Sequence, residues 1–161
     1  MRIAINVDGD NYEADVEPRV LLVHFLSDVA RTTSTHIGCD TSNCGSCTVL
    51  VDGEAVKACN VLAVQADGRR VTTVDGLVQE PARSLAERVL KQLPSECGYC
   101  GPGIVMTALG LLHDRSDLDT ASLRAGLEGN ICRCTGYVGI VDAIVETAGE
   151  AQPDAWGTGG S

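Results

Sequence analysis

Ile3, Ile5 and Val7 occupy alternate positions of the run RIAINVD, which predicts a strand with one buried face. The pair GD at 9 and 10 places a turn. NYEADVE then alternates again through Tyr12, Ala14 and Val16, so the two runs read as a hairpin. After Pro18, VLLVHFLSDVA is too long for an ordinary strand. Leu22, Phe25, Leu26 and Val29 recur there at helical spacing, which predicts a helix. CTVLV and EAVKAC flank Asp52 and Gly53, a strong hairpin signal, and VTTV at 71–74 reads as a last short strand.

From residue 76 onward the pattern is helical. SLAERVLKQL starts with Ser84 and has Glu87 three residues later, a capping box, with Leu85, Val89 and Leu93 on one face. GPGIVMTALGLLHD carries Pro102 in its first turn, followed by Ile104, Ala108, Leu111 and Leu112. TASLRAGL predicts a short helix. GYVGIVDAIVETAGE predicts a final one, with Val138, Val141 and Val145 in register. The end, QPDAWGTGGS, is polar and rich in glycine and reads as a loose tail. The expected fold class is therefore α+β. A small mixed sheet with one helix gives way near residues 76–80 to a unit of four helices.

Composition sharpens this picture. One Trp, three Tyr and one Phe in 161 residues leave two small cores to Val, Leu and Ile, and to something besides apolar burial. A net charge of −10 argues against a nucleic-acid ligand, which needs clustered Lys and Arg. The N-terminal run lacks the apolar segment of a signal peptide, and no apolar run is long enough to span a bilayer. The expected location is the cytoplasm, or the inner face of the membrane through a partner. In that compartment eight cysteines favour metal over disulfide. Each half of the chain holds four of them.

Cys39, Cys44, Cys47 and Cys59 have the spacing C-x4-C-x2-C followed by a distant cysteine, the plant-type ferredoxin arrangement for a 2Fe–2S cluster. Three thiolates come from one loop, so that loop must bring its backbone close to inorganic sulfide. Gly38, Gly45 and Gly53 supply dihedrals that other residues avoid. Inward N–H groups can then stabilise an anionic cluster. The fourth ligand is expected from the second strand of the 47–59 hairpin. Structural zinc is the alternative, although zinc ligands more often come as two separated pairs.

Cys97 and Cys100 lie in ECGYCGPG, and Cys132 and Cys134 in NICRCTGY. Each pair precedes a predicted helix. Two helix N-termini, each with partial positive charge and free N–H donors, can therefore point at one shared anionic group and raise its reduction potential. C-x-C suits a multi-iron centre better than a zinc ribbon. A thioredoxin-like dithiol is the other reading of CGYC, but its helical setting argues against that.

Together, GCDTSNCGSC, the distant Cys59, CGYCGPG and EGNICRCTGY resemble the small iron–sulfur subunit of the molybdenum hydroxylases, the xanthine oxidase family. The resemblance runs from Ile3 to about Glu146. Within that family, VEPRVLLVHFLSD and THIGCDTSNCGSC are most similar to the small chain of aerobic carbon monoxide dehydrogenase. The resemblance implies a plant-ferredoxin-like β-grasp domain over residues 1–77 and a four-helix bundle over 78–150, and the composition beyond implies a flexible tail over 151–161. It implies two 2Fe–2S clusters, one held by Cys39, Cys44, Cys47 and Cys59, the other by Cys97, Cys100, Cys132 and Cys134. It also implies a large subunit with molybdopterin, a medium subunit with FAD and a dimer of such heterotrimers. In such complexes electrons pass singly from the pterin through the helical-domain cluster and the ferredoxin-like cluster to flavin.

Cys134 matches the family ligand beside the pterin. Glu96 stands where the family usually has Gln in contact with the pterin, and a carboxylate accepts but does not donate unless protonated. Gly101 replaces a frequent Thr. Gly38, Gly45 and Gly98 are the candidate cofactor-contacting glycines. The chain shows no nucleophile or general-base constellation, so substrate chemistry belongs to a partner. Carbon monoxide is the expected substrate; a purine, an aldehyde or an N-heterocycle is the alternative, as is a stand-alone two-cluster ferredoxin.

His24 reads as a packed or surface residue, and His36 as a hydrogen-bond partner in the first loop. His113 falls at a helix C-terminus. Arg133 can balance cluster charge or face a partner. Tyr99 and Tyr137 read as packing that shields the clusters, and Trp156 as a docking residue.

Overall fold

The computed structural model describes residues 1–93, 97–114, 118–151 and 153–156. Strands β1 (Arg2–Val7) and β2 (Asp10–Asp15) pair antiparallel, with Ile5 opposite Tyr12. Their turn is Asp8–Gly9, one residue earlier than the pattern suggested. The two φ angles, 53° and 98°, are the paired positive values of a type I′ turn, which Asp-Gly accommodates. Asp52–Gly53, with φ of 50° and 93°, joins β3 (Thr48–Val51) to β4 (Glu54–Lys57) in the same way. Strand β5 (Arg70–Thr72) runs parallel to β1 and antiparallel to β3, giving the five-stranded order β2-β1-β5-β3-β4.

Helix α1 (Leu22–Asp28) covers one face of this sheet. Its Leu22, Phe25 and Leu26 are buried with Ile3, Ile5 and Val49. It is shorter than the run that predicted it, because Val29 and Ala30 turn back onto the Phe25 carbonyl. The result is a ferredoxin-like layer of mixed sheet and helix.

The second half contains α2 (Ala82–Lys91), α3 (Gly101–Asp114), α4 (Thr120–Gly126) and α5 (Val138–Glu150) among the described residues. The expected capping box does not form. Helix α2 starts two residues before Ser84, and the Ser84 N–H donates to the Glu80 carboxylate at 3.2 Å, while Glu87 pairs with Arg83. The register of α5 also differs from expectation. Val141 is buried, but Val138 and Val145 are exposed, and Ile140, Ile144 and Thr147 face inward. The β-branched residues outnumber the inward positions, so spacing alone could not choose among them.

Helix α3 is the centre of this half. Ile104, Val105, Met106, Ala108, Leu109 and Leu112 are buried around most of its circumference. It also meets the sheet. A Cβ at Gly103 would lie 2.2 Å from the Gly45 carbonyl oxygen, and one at Gly110 would lie 2.6 Å from the Ala55 Cβ. Two glycines seven apart share one helix face, and here that face is the seam between the halves. Leu50, from β3, belongs to the helical core across this seam. Trp156, expected to dock on a partner, is only 3% exposed and packs into the helical core of its own chain. An indole is large and apolar, and burying it here removes it from water without a second protein. No helix among the described residues is long and apolar enough to cross a membrane.

Candidate metal centres

The loop between α1 and β3 supplies Cys39, Cys44 and Cys47. Cys59 lies in a 3-10 turn (Ala58–Asn60) just beyond β4, not on the strand itself. The first sulfur is surrounded by backbone donors. The N–H groups of Thr41, Asn43 and Cys44 point at the Cys39 Sγ at 3.4, 3.3 and 3.3 Å. They favour the thiolate and lower its pKa to about 6, with the Cys44 N–H the largest cause and Thr41 next. The Cys59 N–H reaches the Cys47 Sγ at 3.5 Å. Burial pushes the Cys47 thiol up to about 11, so its ionisation calls for a bound cation.

The loop closes through left-handed residues. Gly45 has φ of 74°, as expected, but Asp40 (54°) and Ser42 (60°) share the task, and the glycine pattern did not reveal them. Gly38 is not left-handed. It is required by contact, since a Cβ there would sit 2.9 Å from the Cys44 Sγ. Gly53 serves the β3–β4 turn and not the loop.

Cys97 and Cys100 precede α3, and Cys132 and Cys134 precede α5, as their spacing predicts. The Cys97 and Cys134 sulfurs stand 3.8 Å apart. Cys100 is the buried member, held up to about 12 by desolvation and by its contact with Cys132. Burial also opposes ionisation of Cys132, but donors from Thr135, Oγ1 at 3.1 Å and N–H at 3.4 Å, outweigh it and lower the pKa. Tyr137 braces this loop, accepting from the Cys132 N–H and donating to the Asn130 carbonyl at 2.8 Å. Gly98 is left-handed at 74°. Glu96, the expected pterin contact, lies outside the described residues.

The two loops touch. The Ile131 N–H donates to the Cys44 carbonyl at 2.8 Å, and the buried Asn130 donates through Nδ2 to the Gly45 carbonyl at 3.1 Å. His36 stacks on Tyr99 with ring centres 4.4 Å apart. Its Nδ1 lies 2.8 Å from the Tyr99 carbonyl, which only accepts, so Nδ1 carries the hydrogen. The Tyr99 hydroxyl returns a bond to the Ile37 carbonyl at 2.9 Å. His36 thus binds the second loop, and not the first as the sequence suggested. Asn130, Thr135 and Tyr137 were not identified as loop braces, because a polar residue in a polar loop carries no periodic signal.

The candidate donors are cysteine sulfurs throughout, and none of the eight cysteines is in a disulfide. Sulfurs approach one another in pairs, Cys97 with Cys134 and Cys100 with Cys132. Paired thiols ringed by N–H donors fit a two-iron cluster and fit a lone tetrahedral zinc poorly.

Comparison with known proteins agrees. Residues 5–75 match the 2Fe-2S iron-sulfur cluster binding domain and residues 73–145 the 2Fe-2S binding domain. The chain is 44% identical over 148 residues to the 6-hydroxypseudooxynicotine dehydrogenase complex subunit beta of Paenarthrobacter nicotinovorans, covering 90% of this chain and 92% of that one. This chain belongs to the small iron–sulfur subunits of the molybdenum hydroxylases. Another such subunit, the caffeine dehydrogenase subunit gamma of Pseudomonas sp. (strain CBB1), is 38% identical over 88% of this chain and 87% of its own length. The crystal structure of quinoline 2-oxidoreductase from Pseudomonas putida 86 superposes with a TM-score of 0.82 at 37% identity, over 93% of this chain and 94% of that one. As a small subunit of this family, the chain carries two 2Fe–2S clusters and takes part in an oxidoreductase complex without itself holding the substrate site.

Tyr137→Phe tests the brace. It should destabilise the chain by about 1–3 kcal/mol, because the Asn130 carbonyl and the Cys132 N–H both lose their partner. The paramagnetic resonance signal of one cluster should change while the other stays as in wild type. Unchanged signals and unchanged stability in urea would remove Tyr137 from the site.

Proposed function

We propose that this small subunit carries electrons between a molybdopterin-binding large subunit and an FAD-binding medium subunit, in a dimer of heterotrimers. Cys39, Cys44, Cys47 and Cys59 would hold one cluster and Cys97, Cys100, Cys132 and Cys134 the other. The domains would run over residues 1–77 and 78–150, the second a four-helix bundle. Each 2Fe–2S cluster, when bound, supplies a resting place for one electron at a time.

The chain's own residues do the rest. N–H groups of Thr41, Asn43 and Cys44 stabilise negative charge at the first site, and Thr135 does so at the second. Burial of Cys47, Cys59 and Cys100 keeps water from one side of each. Cys97 and Cys134 are exposed, beside the exposed apolar Tyr99, Ile131 and Val138. That face suits the large subunit, with Cys134 toward the pterin. The observation that carries the reading is the hydrogen bond from the Ile131 N–H to the Cys44 carbonyl. It joins the residue before one ligand, Cys132, to another ligand, Cys44, so the two sites are linked by covalent bonds and a single hydrogen bond.

The substrate class we infer for the complex is a nitrogen heterocycle. The relatives described above are named for 6-hydroxypseudooxynicotine, caffeine and quinoline. That naming favours the heterocycle over carbon monoxide, the expectation from the loop sequences. The test is the natively purified complex. It should contain two distinguishable 2Fe–2S signals after reduction, and should reduce an artificial acceptor with an N-heterocycle but not with carbon monoxide. A chain that runs alone on gel filtration would instead make it a free carrier, and turnover with carbon monoxide would restore the earlier expectation.

A further inference from the structure

Lys57 closes β4, and its side chain enters the seam between the two loops instead of reaching into solvent. Its Nζ donates to the Ser42 carbonyl at 2.8 Å. Ser42 lies between Cys39 and Cys44. On the other side, a Cβ at Gly129 would sit 3.4 Å from the same Nζ. Gly129 stands three residues ahead of Cys132, on the loop of the second site. The residue is half-buried, and Cys59 follows it by two positions.

No described ion pair includes Lys57, whereas Arg2, Arg19, Arg69, Arg83 and Arg88 each pair with an acid. Arg133, the other cation near a ligand pair, is exposed and therefore screened. Lys57 is thus an ammonium without a described carboxylate partner, in a chain of net charge −10, held against the loop that carries Cys39 and Cys44. A neutral donor could make the same hydrogen bond to a carbonyl. What lysine adds is charge, at a place where water is partly excluded and charge acts strongly.

We propose that Lys57 is a positioning residue for charge, whose ammonium raises the reduction potential of the site held by Cys39, Cys44, Cys47 and Cys59. The inference rests on the two-cluster reading above. Reduction adds one electron to that site, from the substrate-oxidising partner in turnover or from dithionite in a titration. The second site feels less of the charge, because Lys57 hydrogen-bonds the loop of the first site and makes only a van der Waals approach to Gly129 on the side of the second. Lys57 therefore biases the electron toward the ferredoxin-like site, the direction in which it must travel to reach flavin.

The experiment is a redox titration of the whole complex, followed by paramagnetic resonance, for wild type, Lys57→Arg and Lys57→Gln. The Gln variant keeps a donor and loses the charge. Its electron distribution between the two clusters should move about tenfold away from the first, equivalent to ~59 mV for a one-electron couple. The Arg variant should stay within about twofold of wild type, as its charge is retained. If the Gln variant does not load its first cluster, Lys57→Met, which keeps the apolar stem, takes its place with the same expected shift. A Gln or Met variant with wild-type potentials overturns the proposal. So does an Arg variant displaced as far as Gln, since that effect would come from shape and not from charge. A wild-type complex lacking two cluster signals would instead remove the two-cluster reading itself.

Discussion

A complex carrying Cys132→Ala should lose half of the iron in this subunit, keep one of the two paramagnetic signals, and reduce its flavin with substrate at least ~10³-fold more slowly, a barrier increase of about 4 kcal/mol. The loss is large because the remaining thiols cannot substitute. On the proposed assignment Cys97, Cys100 and Cys134 already serve as ligands of the same site, and the other four cysteines lie at the first. On the same assignment the first site draws its ligands from the 39–47 loop and the turn at Cys59, so its signal should survive. The rate falls because electron tunnelling weakens steeply with distance, and the substitution empties the intermediate stop. Iron assay, resonance spectra and stopped-flow flavin reduction on one preparation check this. Full iron with two signals would show that Cys132 is not a ligand. Normal flavin reduction with the signal missing would show that electrons do not depend on the helical site.

The second large effect concerns the seam. Gly103→Val should destabilise the chain by about 3 kcal/mol or more, lowering Tm by roughly 10 °C. A Cβ at this position meets the Gly45 carbonyl oxygen at 2.2 Å and the Ser46 Cα at 2.9 Å. Both are backbone atoms of the first ligand loop, so neither can swing aside as a side chain could. Relief would require α3 to move off the sheet, which would stretch the bonds from Asn130 and Ile131 to Gly45 and Cys44. Gly149→Ala is the matched control. It lies in α5 with nothing within 4 Å of its Cβ, and alanine suits a helix better than glycine. Thermal unfolding should separate the two variants clearly. A Gly103→Val chain melting within about 2 °C of wild type would mean that the close approach is not a constraint.

Much of this molecule is legible from residue spacing. The alternation of Ile3, Ile5 and Val7, the Asp-Gly turns and the paired cysteines ahead of helices each depend on neighbours within a few positions, and each appears in the structure at or near its expected place. Discrepancies occur where two parts of the chain compete for the same surface. Ser84 and Glu87 have the spacing of a cap, but Glu80 supplies the partner and α2 begins earlier. Val138 and Val145 have the spacing of a core face, yet Ile140 and Ile144 take it. Trp156 looked like a hand held out to a partner, and its own helices bury it.

The candidate site divides in the same way. Eight thiols in two groups, and the kind of group they suit, follow from cysteine spacing, because ligands that must reach one small cluster are constrained locally. The meeting of the two groups has no local signature. Gly103 and Gly110 are ordinary glycines in a helix until Gly45 and Ala55 come against them. Asn130, His36 and Lys57 are ordinary polar residues until the loop they bind arrives from 60 or more positions away for the first two, and from across the β3–β4 hairpin for the third. Chain chemistry alone therefore determined what this protein can hold. Only the packing of α3 onto the sheet decided how close the two sites stand and which charge lies between them, because contact distances between remote segments depend on the shape of both surfaces and not on the order of residues in either.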